Sequence, residues 1–186
     1  MKLIERILEE SNIRLAQEQV IGNKGAGGVD GMSVDQLAAY MTEHHAEIKH
    51  SILAREYRPQ PVRRVEIPKP NGGVRKLGIP TAVDRTIQQA IAQILSPIFE
   101  QEFQESSYGF RPGRSFEQAV LKLLEYLNDG YEWIVDIDLE KFFDNVPQDK
   151  LMSYVGRVIQ DPDTESLIRK YLKAGVMEKG HYSPTE

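Results

Sequence analysis

The segment "RRVEIPKPNGGVRKLGIP", residues 63–80, constrains the fold most, because it reads as two short strands joined by a tight turn. Apolar residues recur on both sides of "PNGG", and a glycine-rich turn between two such runs is a strong signal for a β-hairpin. A register centred on Gly72 predicts three facing pairs, which are Val65 with Ile79, Ile67 with Leu77, and Lys69 with Arg75.

The last of these pairs places two cations opposite each other at the tip of the hairpin. Like charges in this position repel by a few tenths of a kcal/mol. A bound phosphate would reverse the sign, since it accepts charge-assisted hydrogen bonds from both side chains. Alternatively, Lys69 and Arg75 both extend into water at small cost. The pattern leaves a phosphate site and a solvated tip open.

Most of the remaining chain shows helical periodicity, with apolar residues spaced three and four apart. Helices are predicted over residues 2 to about 20, 34 to about 54, 83–98, 116–127, and in two pieces between 148 and 172. Ser33 with Gln36 and Ser115 with Gln118 form capping boxes, and Pro97 is expected to bend or end its helix. The segment "IGNKGAGGVDGM" is predicted to be a mobile loop. Several helices with a few strands indicate an α+β fold.

Composition narrows the functional classes. The chain of 186 residues contains no cysteine, which excludes disulfides and thiolate chemistry, and no apolar run long enough to predict a transmembrane helix. Its start lacks the apolar core of a signal peptide, so a cytoplasmic setting is expected. The net charge is −5, yet residues 55–76 carry a local excess of positive charge. Such a stretch suits a polyanionic ligand, although a solvated basic hairpin explains it equally well.

The segment "EWIVDIDLEKFFDNV", residues 132–146, reads as an apolar strand that contains two aspartates. Strand alternation places Asp136 and Asp138 on one side, roughly 7 Å apart along the strand. Carboxylates are rare in such surroundings unless something pairs with them, and Mg²⁺ prefers carboxylate oxygens. The pattern therefore suggests a metal site. The alternative is that one aspartate is exposed at a strand edge and the other caps the following turn.

Four segments in succession resemble blocks of the group II intron reverse transcriptases, also called intron maturases. They are "GVDGM", "RRVEIPKPNGGVRKLGIPTAVDRTIQQAI", "SSYGFRPGRSFEQAV" and "VDIDLEKFFDNV". The resemblance implies a right-hand polymerase, with fingers at residues 1–85 and a partial palm with the remaining fingers helices at 86–186. It also implies an RNA-directed DNA polymerase that uses dNTPs, two Mg²⁺ ions and an RNA template with a DNA primer. Members of the family bind their group II intron RNA and assist its splicing.

The resemblance also implies site residues. Asp138 corresponds to the catalytic, metal-holding aspartate, with the backbone carbonyl of Leu139 as a further ligand, and Phe143 would lie under the deoxyribose. Asp136 falls outside the motif and is interpreted as a neighbour. Lys69 and Arg75 match the cations that hold the triphosphate. Weaker candidates for nucleic-acid contact are Arg63, Arg85, Arg111 and Arg114, and the last two could instead brace the structure.

The chain departs from the family by lacking a Tyr-x-Asp-Asp motif and a Pro-Gln-Gly segment. "QDPDTE" contains two aspartates but reads as a helix-breaking polar loop. We therefore expect an N-terminal fragment that is inactive as a polymerase alone, with exposed apolar surface and a possible homodimer. Two alternatives stay open: a non-catalytic RNA-binding splicing cofactor, and another bacterial reverse transcriptase such as a retron type.

Overall fold

The computed structural model describes residues 1–70 and 72–185, apart from the side chain of residue 144. The helices are α1 (Leu3–Ile7), α2 (Glu10–Gly22), α3 (Val34–Leu53), α4 (Ala82–Phe99), α5 (Phe116–Asn128), α6 (Phe142–Asn145), α7 (Gln148–Ile159) and α8 (Pro162–Leu172), and a 3-10 turn spans Glu100–Glu102. The strands are β1 (Val62–Pro68), β2 (Val74–Ile79), β3 (Val176–Glu178) and β4 (His181–Ser183). The predicted α+β class is confirmed.

One hydrophobic core joins both ends of the chain. Its buried side chains run from Ile4 in α1 to Leu167 in α8, and α4 contributes the largest share. Pro97 lies two residues before the end of α4, as the prediction that it ends its helix implies. A proline lacks the N–H that continues a helix, and its ring collides with the preceding turn. The predicted boundary between fingers and partial palm, at residues 85 and 86, falls inside α4. The assignment of these two regions stays a prediction. None of the described helices combines the length and the hydropathy that a membrane span requires.

The hairpin forms as predicted, but in a register shifted by two residues. Ile67 faces Arg75, whereas Lys69 faces Gly73, to which its N–H donates a hydrogen bond of 3.1 Å. Gly72 and Gly73 take φ angles of +83° and +84°, which glycine adopts without strain, and this closes the turn nearer to β1. An even shift keeps every side chain on its predicted face. Lys69 and Arg75 are therefore diagonal neighbours on one face instead of a facing pair.

Two more strands extend this hairpin into a sheet of order β2-β1-β3-β4. β3 pairs in parallel with β1 through Val62 and Val176, and β4 returns antiparallel to β3. The base of the hairpin is thus fixed by residues near the far end of the sequence, while its tip projects beyond the sheet.

The prediction of a buried strand at residues 133–139 is wrong. This segment has no regular secondary structure and pairs with no strand in the described part of the chain, and Trp133 and Ile137 are 93% and 82% exposed. The apolar face of α5, which precedes it, is likewise without a buried residue. A strand exists only through a ladder with a neighbour, which alternation alone does not supply. Asp136 and Asp138 consequently lie in water.

The prediction of a polar loop at "QDPDTE" is also wrong, because this segment begins α8. Asp161 precedes the helix, and Pro162 occupies its first position, where a missing N–H costs nothing. The Asp161 side chain is buried, and its Oδ2 accepts hydrogen bonds from the Ile4 N–H at 2.8 Å and the Thr164 hydroxyl at 2.7 Å. This carboxylate ties the first helix to the last.

The glycine-rich loop between α2 and α3 is anchored at two successive carbonyls. Arg63 donates from Nε and Nη2 to the Gly27 oxygen at 3.0 and 2.8 Å, and Arg85 donates from Nη2 to the Ala26 oxygen at 2.9 Å. Gly28 lies so close to the start of α4 that a Cβ there would be 2.6 Å from the Cα of Thr81. The predicted mobile loop is therefore held against the base of the hairpin and α4.

Gly28→Ala is expected to lower the free energy of unfolding by about 1–3 kcal/mol, because the added methyl meets backbone that cannot move aside. Urea denaturation measures this loss. Gly22→Ala is the matched control, since a Cβ at Gly22 meets nothing within 4 Å and alanine favours the helix. Equal unfolding midpoints for the two variants would contradict the close packing of the loop.

Candidate nucleotide and nucleic-acid site

The hairpin tip carries positive charge that no carboxylate offsets. Lys69 and Arg75 are exposed on one face, and their side chains make no hydrogen bond or ion pair with any described residue. Diagonal neighbours on a sheet lie about 7–8 Å apart, which a phosphate chain can span. On the opposite face, Glu66 lies across from Lys76 in the strand register, so that face carries one acidic and one basic residue. The tip is therefore cationic on one side only.

Asp138 lies at the end of the exposed segment, just before α6. Its Oδ1 accepts a hydrogen bond from the N–H of the adjacent Leu139 at 2.9 Å, and it does not cap α6, whose N-cap residue is Lys141. Its Oδ2 has no partner among residues 1–70 and 72–185. The carboxylate and the Leu139 carbonyl are hard oxygen donors, and Mg²⁺ commonly takes one or two carboxylates together with substrate phosphates and water. These two groups fit part of such a shell.

Phe143 follows Asp138 by five residues and is 92% exposed. Its ring contacts Phe142 edge to face, with centroids 5.5 Å apart. Lys141 takes a φ of +49°, which turns the chain sharply before the short α6. The turn therefore presents an aromatic ring to solvent close in sequence to the free oxygen of Asp138.

Arg63 and Arg85 are held in place by their hydrogen bonds to the glycine-rich loop between α2 and α3. Burial lowers the pKa of Arg85, while the nearby Asp30 opposes that shift. The Arg85 Nε is buried without a hydrogen-bond partner in the described structure. Both arginines thus lie at the base of the hairpin, where they orient the loop backbone.

Arg111 matches the bracing alternative. Its side chain is only 6% exposed, and it donates to both carboxylate oxygens of Glu100, at 2.6 Å from Nη2, and to the carbonyls of Gln104 and Ser107. These hydrogen bonds lower the pKa of Glu100. Arg114 lies over the ring of Tyr108 at 5.7 Å and is half-buried. Arg111 thus holds residues 100–107, which precede α5, in a fixed conformation.

The predicted residues therefore form four separate groups: the hairpin tip, the loop clamp at its base, Arg111 with Arg114 before α5, and the segment from Asp138 to Phe143. In the part of the chain that the structure describes, no hydrogen bond or ion pair joins the tip to that segment, and no set of three His or acidic side chains is placed to hold a metal.

The model of one protein family, described as reverse transcriptase (RNA-dependent DNA polymerase), matches residues 67–185. The chain belongs to the reverse transcriptase family. The matched range begins two residues before Lys69 and includes Asp138 and Phe143. The family that the sequence motifs indicate is confirmed. Reverse transcriptases generally use Mg²⁺.

Relatives of this reverse transcriptase chain include Protein YkfC of Escherichia coli (strain K12), which is 36% identical over 96% of this chain and 49% of its own length. The group II intron-encoded protein LtrA of Lactococcus lactis subsp. cremoris is 36% identical over 99% of this chain and 31% of its own length. The chain thus spans about half or a third of these relatives. The structure of a partial Cas6-RT-Cas1–Cas2 complex has a similar fold, with a TM-score of 0.63, 20% identity, and coverage of 98% of this chain and 30% of that one.

Sequence reasoning missed a buried carboxylate at the centre of this reverse transcriptase chain. Asp84 is 1% exposed, and its Oδ1 accepts hydrogen bonds from the hydroxyls of Tyr57 at 2.7 Å and Tyr171 at 3.2 Å. Its Oδ2 accepts from the Gln60 N–H at 3.1 Å and the Thr81 hydroxyl at 2.8 Å. Burial, reinforced by the carboxylate, raises the pKa of both tyrosines. The only local signal was "TAVD", a Thr-x-x-Asp capping pattern.

Proposed function

We propose that the chain forms the nucleotide-binding part of an RNA-directed DNA polymerase that also binds group II intron RNA and assists its splicing. The observation that carries the proposal is the uncompensated cationic tip formed by Lys69 and Arg75, inside the range that matches the reverse transcriptase family. The name of LtrA, a group II intron-encoded protein, supports the intron partner.

In this function, Lys69 and Arg75 donate hydrogen bonds to the triphosphate of a dNTP. Asp138 and the carbonyl of Leu139 would hold Mg²⁺, with two ions in the complete site, and the metal would supply neutralisation of charge on the transferred phosphoryl group. Phe143 lies under the deoxyribose, where its ring leaves no room for a 2′-hydroxyl. The chain's own contribution is to bind and orient the nucleotide.

The other predicted residues are assigned to the fingers or to the palm of the polymerase. Residues 1–85 act as fingers and residues 86–186 as part of the palm, holding an RNA template with its DNA primer. Arg63 and Arg85 act through the loop that they anchor, and Arg114 is better placed for nucleic acid than the enclosed Arg111. The exposed apolar face of α5 could bury itself in a homodimer.

A second candidate is a non-catalytic RNA-binding splicing cofactor. It is favoured by the lack of a set of three metal ligands among the described side chains. Both candidates use the basic surfaces, but only the first requires the carboxylate of Asp138.

The double variant Lys69→Ala/Arg75→Ala is expected to lower kcat/KM for dNTP incorporation by about 100- to 10,000-fold, because each charge-assisted hydrogen bond contributes roughly 1.5–3 kcal/mol and two are lost. Primer extension on an RNA template, with the protein as its gene encodes it, measures the effect. Lys76→Ala is the control, since this lysine lies on the opposite face of the same strand. If Lys76→Ala lowered kcat/KM by the same factor, the loss could not be assigned to nucleotide binding at the hairpin tip.

A further inference from the structure

A second cationic surface lies in a cleft between residues 55–59, α8 and Tyr182. The cleft is open to solvent and has a volume of about 870 Å³. It is lined by five cations and by a single carboxylate, that of Glu56; the cations are Arg55, Arg58, Arg169, Lys170 and Lys173. None of these residues belongs to the hairpin tip, the loop clamp or the segment around Asp138.

Hydrogen bonds hold the walls of this cleft in place. Lys170 donates from Nζ to the carbonyls of Arg55 and Tyr57, the latter at 2.9 Å, and so fixes the segment 55–59 to α8. Arg55 forms an ion pair of 2.6 Å with Asp163, whose pKa is lowered by hydrogen bonds from Arg55 and Lys2. These contacts position backbone and side chains before any ligand arrives.

Arg58 and Lys173 contribute the free charge. Both are exposed, and neither side chain makes a hydrogen bond or ion pair with another residue of the described ranges. They come from opposite walls, one from the segment before β1 and the other from the end of α8. Two unpaired cations on fixed walls form a suitable site for successive phosphates of one strand.

Tyr182 adds an aromatic surface to the cleft. Its ring lies against Gly175, where a Cβ would be 2.5 Å from the tyrosine Cε2. Gly175 has a φ of +80°, so a larger residue would be both strained and in collision. Tyr182 as a whole residue is nevertheless 55% exposed. An accessible aromatic ring beside free cations is the combination that binds single-stranded nucleic acid, by stacking a base and pairing with phosphates.

We propose that this cleft binds a single-stranded segment of RNA, with phosphates on Arg58 and Lys173 and a base stacked on Tyr182. The choice of RNA rests on the proposed function. An acidic peptide would use the two cations but would gain little from the aromatic ring.

The test is fluorescence anisotropy of the 186-residue chain with a labelled 12-nucleotide oligouridylate between 50 and 200 mM salt. Arg58→Ala/Lys173→Ala is expected to weaken binding about tenfold and to reduce the salt slope by about 1.4, the value for two phosphates on a single strand. Arg6→Ala/Arg14→Ala is the matched control, because these exposed arginines lack partners among the described residues and lie outside the cleft.

Tyr182 provides a second readout. Tyr182→Leu is expected to weaken binding about tenfold, whereas Tyr182→Phe keeps the stacking surface and the affinity. The proposal is overturned if the cleft variants lose no more affinity than the control, if the unaltered chain does not bind the oligonucleotide, or if a polyglutamate peptide competes as well as RNA. Normal RNA binding by the cleft variants, together with reduced extension by the hairpin variant, would reject this site and leave the proposed function standing.

Discussion

Asp138→Asn is expected to reduce RNA-templated DNA synthesis about a thousandfold, because removing the charge removes Mg²⁺ stabilisation worth several kcal/mol. Asparagine has the same shape, and its Oδ1 can still accept the hydrogen bond from the Leu139 N–H. The turn should therefore keep its conformation. Primer extension with the protein as its gene encodes it measures synthesis, and filter binding measures RNA affinity, which is expected to stay within about twofold because no phosphate-binding cation is changed.

Asp136→Asn is the control for this experiment. Asp136 lies in the same exposed segment, two residues earlier and outside the spacing that the family resemblance implies. Its replacement should leave synthesis nearly unchanged. If Asp138→Asn retained full synthesis, Asp138 would not hold the metal. If the unaltered protein bound RNA but synthesised no DNA, the splicing cofactor would be the better interpretation.

Asp84→Ala is expected to lower the free energy of unfolding by about 4 kcal/mol, since it leaves four donors without their acceptor in a buried site. The orphaned donors are the hydroxyls of Tyr57, Tyr171 and Thr81 and the Gln60 N–H. Urea denaturation followed by circular dichroism measures the loss.

Asp129→Ala is the matched control for this loss. Asp129 is exposed at the end of α5, and its side chain has no partner in the described structure, so a change within about 0.5 kcal/mol is expected. Similar unfolding midpoints for the Asp84 and Asp129 variants would show that the tyrosines find other acceptors, and that the carboxylate is not the centre of this network.

The helices were predictable because their signals are local. The amphipathic pattern over 83–98 corresponds to α4 within one residue at each end, and the two capping boxes of Ser33 and Ser115 form as predicted. Stripe periodicity and capping involve residues at most a few turns apart, so one stretch of sequence contains the information.

The register of the hairpin and the conformation of residues 133–139 were harder to predict from the sequence. Alternation is satisfied equally by any even shift, and the turn conformations of Gly72 and Gly73 decided between them. The strand at 133–139 depended on a partner that local sequence cannot supply.

In the candidate site, the residue types were predicted but their contacts were not. A guanidinium fork suits a phosphate, a carboxylate and a backbone carbonyl alike, so the sequence could not separate Arg111, which braces Glu100, from an arginine that contacts nucleic acid. The hydrogen-bond network around Asp84 and the cleft beside α8 both join segments that are far apart in sequence. Only the fold brings these segments together.

The hydrogen bond from Ile4 to Asp161 spans 157 residues. During synthesis on the ribosome, at roughly 5–20 residues per second, the first helix emerges and then waits about 8–30 seconds for this acceptor to be made. The parallel contact of β1 with β3 imposes a similar delay on the base of the hairpin. The nascent chain therefore passes through a prolonged stage in which its early helices and its basic hairpin lack the contacts that hold them in the folded protein.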